Sequence, residues 1–558
     1  MTPSSHKGWG MRLLWLVPVV PTLILFYLPL SVILAEALKG GEGPSPFVRL
    51  FSNPYTFRVI GFTLWQALVS TGVSLMLGLP GAWLLGRATF PGKRLLKALT
   101  AIPFVLPSIL VVLAFVIFYG NSGVLNRFAM GVFDLKRPPF PILYSFSAIV
   151  LAHAFYNFPL AARLIGGFWE RHNDGPALAA RTLGAGPVRC FLTVTLPGLL
   201  PAIFSAAGLI YLFCFMSFAV VLVLGGGPRY TTIEVEIYRA ARISLDLDMA
   251  AALAVVGAGL TLSMLWITVK MQHRASHAVR GQASRRGTLR LSGKARIFWG
   301  FYILLVVLVV ASPLVALVVR SFLAQVSRSG PLVWTLKWYD VLFTESGSAL
   351  SLMAVKNSLV FASLTVCAAL PLGMAAAWVT TRSQGVWARF TETAMMLPMG
   401  VSSVVLGLGY FKCLALFFPD YSGSRAAVVA AHVVVAYPFV LRSVSASLKR
   451  ISPSLPQVAR TLGAGPFQTF LTVELPLIRS GLVGGACFAF ALSMGEINAT
   501  LILARADTIT IPLALYRLIG AYRFFAACAL GTLLMGLCVV CFLLLEWMGG
   551  ESLDPERE

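Results

Sequence analysis

Charge is scarce in this sequence. Charged side chains make up 12% of its 558 residues, about half the share found in soluble domains. Hydrophobic residues make up 58%, and the mean hydropathy is +0.84. A chain this apolar cannot hide its surface in a water-soluble core, so the expected fold class is an all-α integral membrane protein. Cysteine and histidine are sparse too, at 8 and 6. Cys538 and Cys541 form a C-x-x-C, but inside LCVVCFLLL. Packing is expected there, because a redox or metal site needs accessible, low-pKa thiols. No G-x4-G-K-[ST] occurs, and PGKR and SGKA fail at the last position, so no ATP-phosphate cradle is expected. Nucleophile, base and metal ligands do not cluster, which argues against a membrane-embedded enzyme and leaves no catalytic or metal residue to nominate.

Acidic residues are the scarcer sign, 21 against 44 Lys and Arg. The excess gathers in the stretch Lys270, Arg274, Arg280, Arg285, Arg286, Arg290, Lys294 and Arg296. No aromatic platform accompanies it, so nucleic acid is not an expected partner. Loops rich in Lys and Arg stay in the cytoplasm, which is the better reading. The apolar stretch at 13–34 is too long for a signal peptide and lacks a small-residue cleavage site. It reads as a first membrane helix whose start Lys7 and Arg12 hold in the cytoplasm.

Crossing a bilayer takes about 20 apolar residues in a helix. Qualifying stretches lie near 13–36, 59–86, 97–118, 143–168, 198–224 and 248–270, then near 297–322, 355–380, 391–416, 425–446, 477–504 and 525–547. About twelve transmembrane helices put both termini in the cytoplasm and predict a multi-pass protein. The expected division is 1–270, a basic linker 271–295, 296–550 and a tail 551–558.

The two sets repeat each other. Residues 180–197 read ARTLGAGPVRCFLTVTLP and 459–476 read ARTLGAGPFQTFLTVELP. His153, Pro159 and Arg163 recur as His432, Pro438 and Arg442, and Trp83 and Arg87 recur as Trp378 and Arg382. Six helices per half make the repeats parallel, and such repeats pack about an axis along the membrane normal. The first half carries extra length around 119–142. Each repeated loop, about 173–197 and 451–476, joins the fourth and fifth helices of its half. Ala-Arg-Thr-Leu suits a short helix, Gly-Ala-Gly-Pro breaks it, and FLTVxLP begins another. A protruding helical hairpin with an apolar face fits a groove on a partner.

These loops resemble the E-A-A-x3-G-x9-I-x-L-P motif of binding-protein-dependent ABC importer permeases. Ala179, Ala180, Gly184, Val194, Leu196 and Pro197 fill it once, and Val458, Ala459, Gly463, Val473, Leu475 and Pro476 fill it again. Leu178 and Gln457 replace the motif's Glu. The resemblance implies two parallel six-helix type I ABC importer permease units. It also implies ATPase coupling through Ala179, Ala180, Arg181, Gly184, Gly186, Leu196, Pro197, Ala459, Arg460, Gly463, Gly465, Leu475 and Pro476. Its implied partners are two copies of an ABC ATPase subunit carrying ATP and Mg, a periplasmic or lipid-anchored solute-binding protein, and membrane lipid. No cofactor is implied for the chain itself. The location implied is the bacterial inner membrane.

LGGGPRYTTIEVEIYRAAR at 224–242, SMGEINATLIL and LYRLIGAYRFFAACAL resemble thiamine importer permeases. Thiamine or its phosphates is therefore the expected cargo, moved by alternating access. Ferric iron is the alternative, and an ion-driven secondary transporter a more distant one. Glu496 and Asn498, within the eleventh helix, are the candidate substrate path, since a carboxylate there usually faces protein or water. Its repeat counterpart is Ser217. His153 and His432 are expected to make interhelical hydrogen bonds, and Arg163 and Arg442 to orient the loops. Glu234, Glu236, Asp246, Asp248 and Asp507 are expected in outward loops, where they meet solvent or the binding protein.

Overall fold

The computed structural model describes residues 7–39, 44–100, 106–171, 175–279, 289–291, 293–325, 331–383, 385–421, 423–452 and 454–549. Most of the basic linker and the C-terminal tail lie outside them. Ten helices among the described residues are long and apolar enough to cross a membrane. Two bent pairs, Val386–Gly400 with Ser403–Phe417 and Phe467–Leu477 with Arg479–Gly495, bring the spans to twelve. The fold is the expected all-α membrane protein. Gly293–Ser321 shows why the apolar surface needs lipid. Its mean hydropathy is 2.9, yet Leu304, Leu305 and Leu308 along it are exposed.

Two compact units emerge. One comprises 1–49, 237–255 and 321–558, and the other 50–236 and 256–320. The opening helix of each sequence half therefore belongs to the unit built mainly from the other half. In the first unit, the Tyr27 hydroxyl donates to the Ala394 carbonyl (2.9 Å) and the Tyr410 hydroxyl donates to the Leu25 carbonyl (2.6 Å). Lys412 meets Glu36 at 2.8 Å, and Val19 and Leu25 pack on the apolar core around Tyr437 and Leu441. In the second unit, Trp299 of Gly293–Ser321 stacks on Trp83 at 4.6 Å, and the Tyr302 hydroxyl reaches the Leu77 carbonyl at 3.2 Å.

Within each unit the second and fourth helices of the half pack through small residues. A Cβ on Gly78 would stand 2.6 Å from that of Ala161, and one on Gly373 would stand 2.6 Å from that of Val440. Small residues at these levels bring backbones close where lipid supplies no hydrophobic drive. The repeated histidines add interhelical bonds, His153 to the second helix of its half and His432 to the fifth span of its own. His153 pairs with Ser70 (3.0 Å), and His432 pairs with Ser493 (2.8 Å) and Thr500 (2.9 Å).

Several spans expected to be continuous are broken. Lys93–Leu99 and Ser108–Tyr119 replace the single helix near 97–118, with Pro107 ahead of the second. Near 391–416 the chain turns at Leu397–Gly400, where Pro398 has no N–H to give, and the Ser402 hydroxyl accepts from Val404 N to restart it. The stretch near 198–224 divides into Leu196–Phe215 and Ala219–Leu224, and that near 477–504 into Arg479–Gly495 and Asn498–Leu503. The added segment around 119–142 contains a helix, Val124–Phe133. Asn126 holds it by hydrogen bonds with the backbone of Gly120 and Phe140, each 2.9 Å.

Candidate functional site

Each loop is a short helix closed by a left-handed glycine. Gly175–Thr182 ends where Gly184 takes φ +85°, and Ser454–Thr461 ends where Gly463 takes φ +92°. Gly184 N bonds the Arg181 carbonyl (3.0 Å) and Ala185 N bonds that of Ala180 (3.0 Å). Gly463 to Arg460 (3.1 Å) and Ala464 to Ala459 (3.0 Å) reproduce the pattern. This paired closure satisfies carbonyls that a helix end leaves open. The roles of the paired glycines separate here. Gly186 sits at φ −63°, and neither it nor Gly465 is among the positive-φ residues.

The tips carry apolar side chains into the open. Leu183 is 88% exposed and Leu462 82%, flanked by exposed Val188 and Phe467. Ala179, Arg181 and Arg460 are exposed, whereas Ala180 and Ala459 are half-buried against their own hairpins. Leu196 and Leu475 are half-buried and Pro197 and Pro476 exposed where the hairpins lead into the spans. The motif therefore shapes the hairpin while the leucine between Thr and Gly makes its tip. Leu183 and Leu462 were absent from the residues nominated by motif, although a leucine between a helix end and a glycine turn was a readable signal. Arg163 and Arg442 are exposed on their helices, and among the described residues no hydrogen bond or ion pair joins either to a loop.

Glu496 stands at the break between Arg479–Gly495 and Asn498–Leu503, not inside a helical body. Its Oε1 accepts from Ala499 N at 3.0 Å, capping the second piece. A carboxylate is favoured there because the first N–H groups of a helix lack partners. Asn498 donates to the Ser403 hydroxyl at 3.0 Å, and its buried Oδ1 has no partner among the described residues. Two broken spans thus meet at one polar spot, with Ala499 tight against Gly407. At the corresponding break in the other unit Ser217 offers no charge.

Of the outward acidic residues, Asp248 and Asp507 are exposed as expected, whereas the others are drawn into the unit that carries them. Glu234 is buried, and Glu236 accepts from the Tyr55 hydroxyl at 3.1 Å. Asp246 pairs with Arg49, while Asp248 lies 4.0 Å from Lys412 and Asp507 3.9 Å from Arg425. The cations come from the short helix Pro46–Ser52 in the case of Arg49, and from the spans themselves in the case of Lys412 and Arg425. Cys538 is buried, and among the described residues no group of His, Cys, Asp and Glu is arranged to hold a metal.

Twelve apolar spans and a twice-built exposed hairpin define a multi-pass transport protein. The family described as binding-protein-dependent transport system inner membrane component matches residues 78–277 and again 369–548, and the chain belongs to that family. It is a permease subunit of an ABC importer in the inner membrane. Each match holds one loop and starts inside the second helix of its half, leaving out the two opening helices that change units. The thiamine transport system permease protein of Brucella abortus is 30% identical over 540 residues, 95% of either chain. That of Escherichia coli is 27% identical over 553 residues, 97% of this chain and 98% of its own. A putative 2-aminoethylphosphonate transport system permease protein of Salmonella typhi is 30% identical over 47% of this chain and 92% of its own. A solved bacterial ABC transporter chain for alginate import aligns at TM-score 0.39 with 17% identity, over 46% of this chain and 96% of that one.

Proposed function

We propose that this permease imports thiamine or its phosphates, delivered by a periplasmic or lipid-anchored binding protein. ATP and Mg are held by two copies of a separate ATPase subunit. The observation that carries the cargo is the similarity, over nearly the full length, to permeases named for thiamine transport. The site supports it chemically. Thiamine carries a permanently cationic ring, and Glu496 supplies a carboxylate at a break in a span, two residues from Asn498, whose oxygen has no partner among the described residues.

The two hairpins serve as docking elements for the ATPase copies. Their leading Glu is absent, so the exposed Leu183 with Val188 and Leu462 with Phe467 hold the partner by apolar contact. The excess of Lys and Arg in the linker supports a cytoplasmic position for both loops and both termini. ATP-driven closure of the ATPase pair moves the loops, and the helices that follow them alternate between outward and inward access.

Reconstitution in proteoliposomes with the cognate ATPase and binding protein tests the reading. Labelled thiamine should accumulate only with ATP present. Accumulation of ferric iron instead would replace the cargo, and uptake driven by an ion gradient without the ATPase would replace the mechanism.

A further inference from the structure

The two loops have nearly the same sequence but are joined to their units differently. In the first, Pro187–Phe215 runs as one span from hairpin to membrane helix. In the second, Phe467–Leu477 and Arg479–Gly495 meet at a 72° bend, with Ile478 leaving helical geometry between them. A bent joint transmits a push along the helix axis poorly, so the second loop needs another attachment.

Glu474 provides it. It closes the turn Phe470–Glu474 just before the bend, and its side chain is 3% exposed. One carboxylate oxygen pairs with Arg382, and the other accepts from Trp378 Nε1 at 2.8 Å. Both partners lie in the last turns of Glu345–Arg382, and Phe470 meets Trp378 edge-on at 6.4 Å. A carboxylate this buried, with a guanidinium and an indole N–H on its two oxygens, fixes geometry rather than adding surface charge. In the first loop the repeat counterpart is Thr195, which cannot form an ion pair. There Phe191 stacks on Trp169 at 6.3 Å, and Trp83, the counterpart of Trp378, is stacked on Trp299.

We propose that Glu474 is a positioning residue that braces the second loop against the end of Glu345–Arg382. The two loops then hand motion to the membrane by different routes, one through a continuous helix and one through a buried ion pair. This rests on the reading of the loops as ATPase docking elements, and the test separates the two.

Hydrogen exchange is followed by mass spectrometry on the intact permease–ATPase complex in nanodiscs, and thiamine uptake per ATP hydrolysed is measured on the same variants in proteoliposomes. Glu474→Gln should speed exchange across 466–478 about tenfold, leave 187–198 unchanged and lower uptake per ATP. Arg382→Gln should have the same local effect, and the double variant no more than either alone. Unaltered exchange at 466–478 in the assembled Glu474→Gln complex would overturn the brace. So would an equal rise in both loops, which marks general loosening, or additive effects in the double variant. Protection of both loops on adding ATPase to the unaltered permease reports docking separately.

Discussion

Gly184 and Gly463 have open space where a Cβ would stand, so backbone geometry and not crowding resists replacement. At φ +85° and +92° a side chain costs about 1–2 kcal/mol. The locally cheaper conformation would redirect the tip. Gly184→Val or Gly463→Val should leave permease abundance near normal while uptake per ATP falls severalfold, measured in proteoliposomes. Leu183→Asp with Leu462→Asp should release the ATPase from the purified complex; undiminished co-purification would remove the apolar docking reading. Glu496→Gln keeps the shape of the cap but removes its charge. Thiamine uptake should fall about tenfold while the binding protein still docks, and unchanged uptake would leave the residue a capping role alone. The loop glycines could be read from the sequence, because glycine after a helix former marks a C-terminal cap. The Glu496 cap could not, because it depends on where the span breaks.

At the scale of elements, close helix packing and buried histidines hold the spans together. Gly373→Leu drives a side chain into Val440, and overpacking of this kind costs about 1–3 kcal/mol or more. Folded yield in detergent should drop, whereas Gly72→Leu, with nothing within 4 Å, should be tolerated. His432 bonds through both ring nitrogens, while the Nε2 of His153 finds no partner among the described residues. His432→Ala should therefore lower the melting temperature more than His153→Ala. Each interhelical bond in a membrane protein is worth roughly 1 kcal/mol. Twelve spans were legible from apolar length alone, and the interhelical role of the histidines from their repetition. The breaks were not legible, since Met216–Phe218 carries no glycine or proline to end a helix, and Glu496 reads as a polar residue within a span as readily as a break. What interrupts the helix there is a local contest between caps and backbone hydrogen bonds.

For the whole molecule, the exchange of opening helices has a measurable consequence. The helix ending at Leu38 is held by Tyr27, Tyr410 and the Glu36–Lys412 pair to residues more than 350 positions away. Removing residues 1–43 should thus expose 403–417 and 425–448 to proteolysis before it affects 146–171. The reverse order would mean that these contacts contribute little.

Apolar run length, charge asymmetry and the repeated ARTLGAGP determined the membrane class, the twofold plan and the location of the loops. All three are local properties, set by about 20 residues of hydrocarbon-matching helix or by a single turn. Tertiary structure alone decided which unit each opening helix joins, where the third and fifth spans of each half break, and that Glu474 rather than Thr195 meets an arginine. Those outcomes depend on side chains far apart in the chain competing for the same buried partners, and no pattern within one segment records that competition.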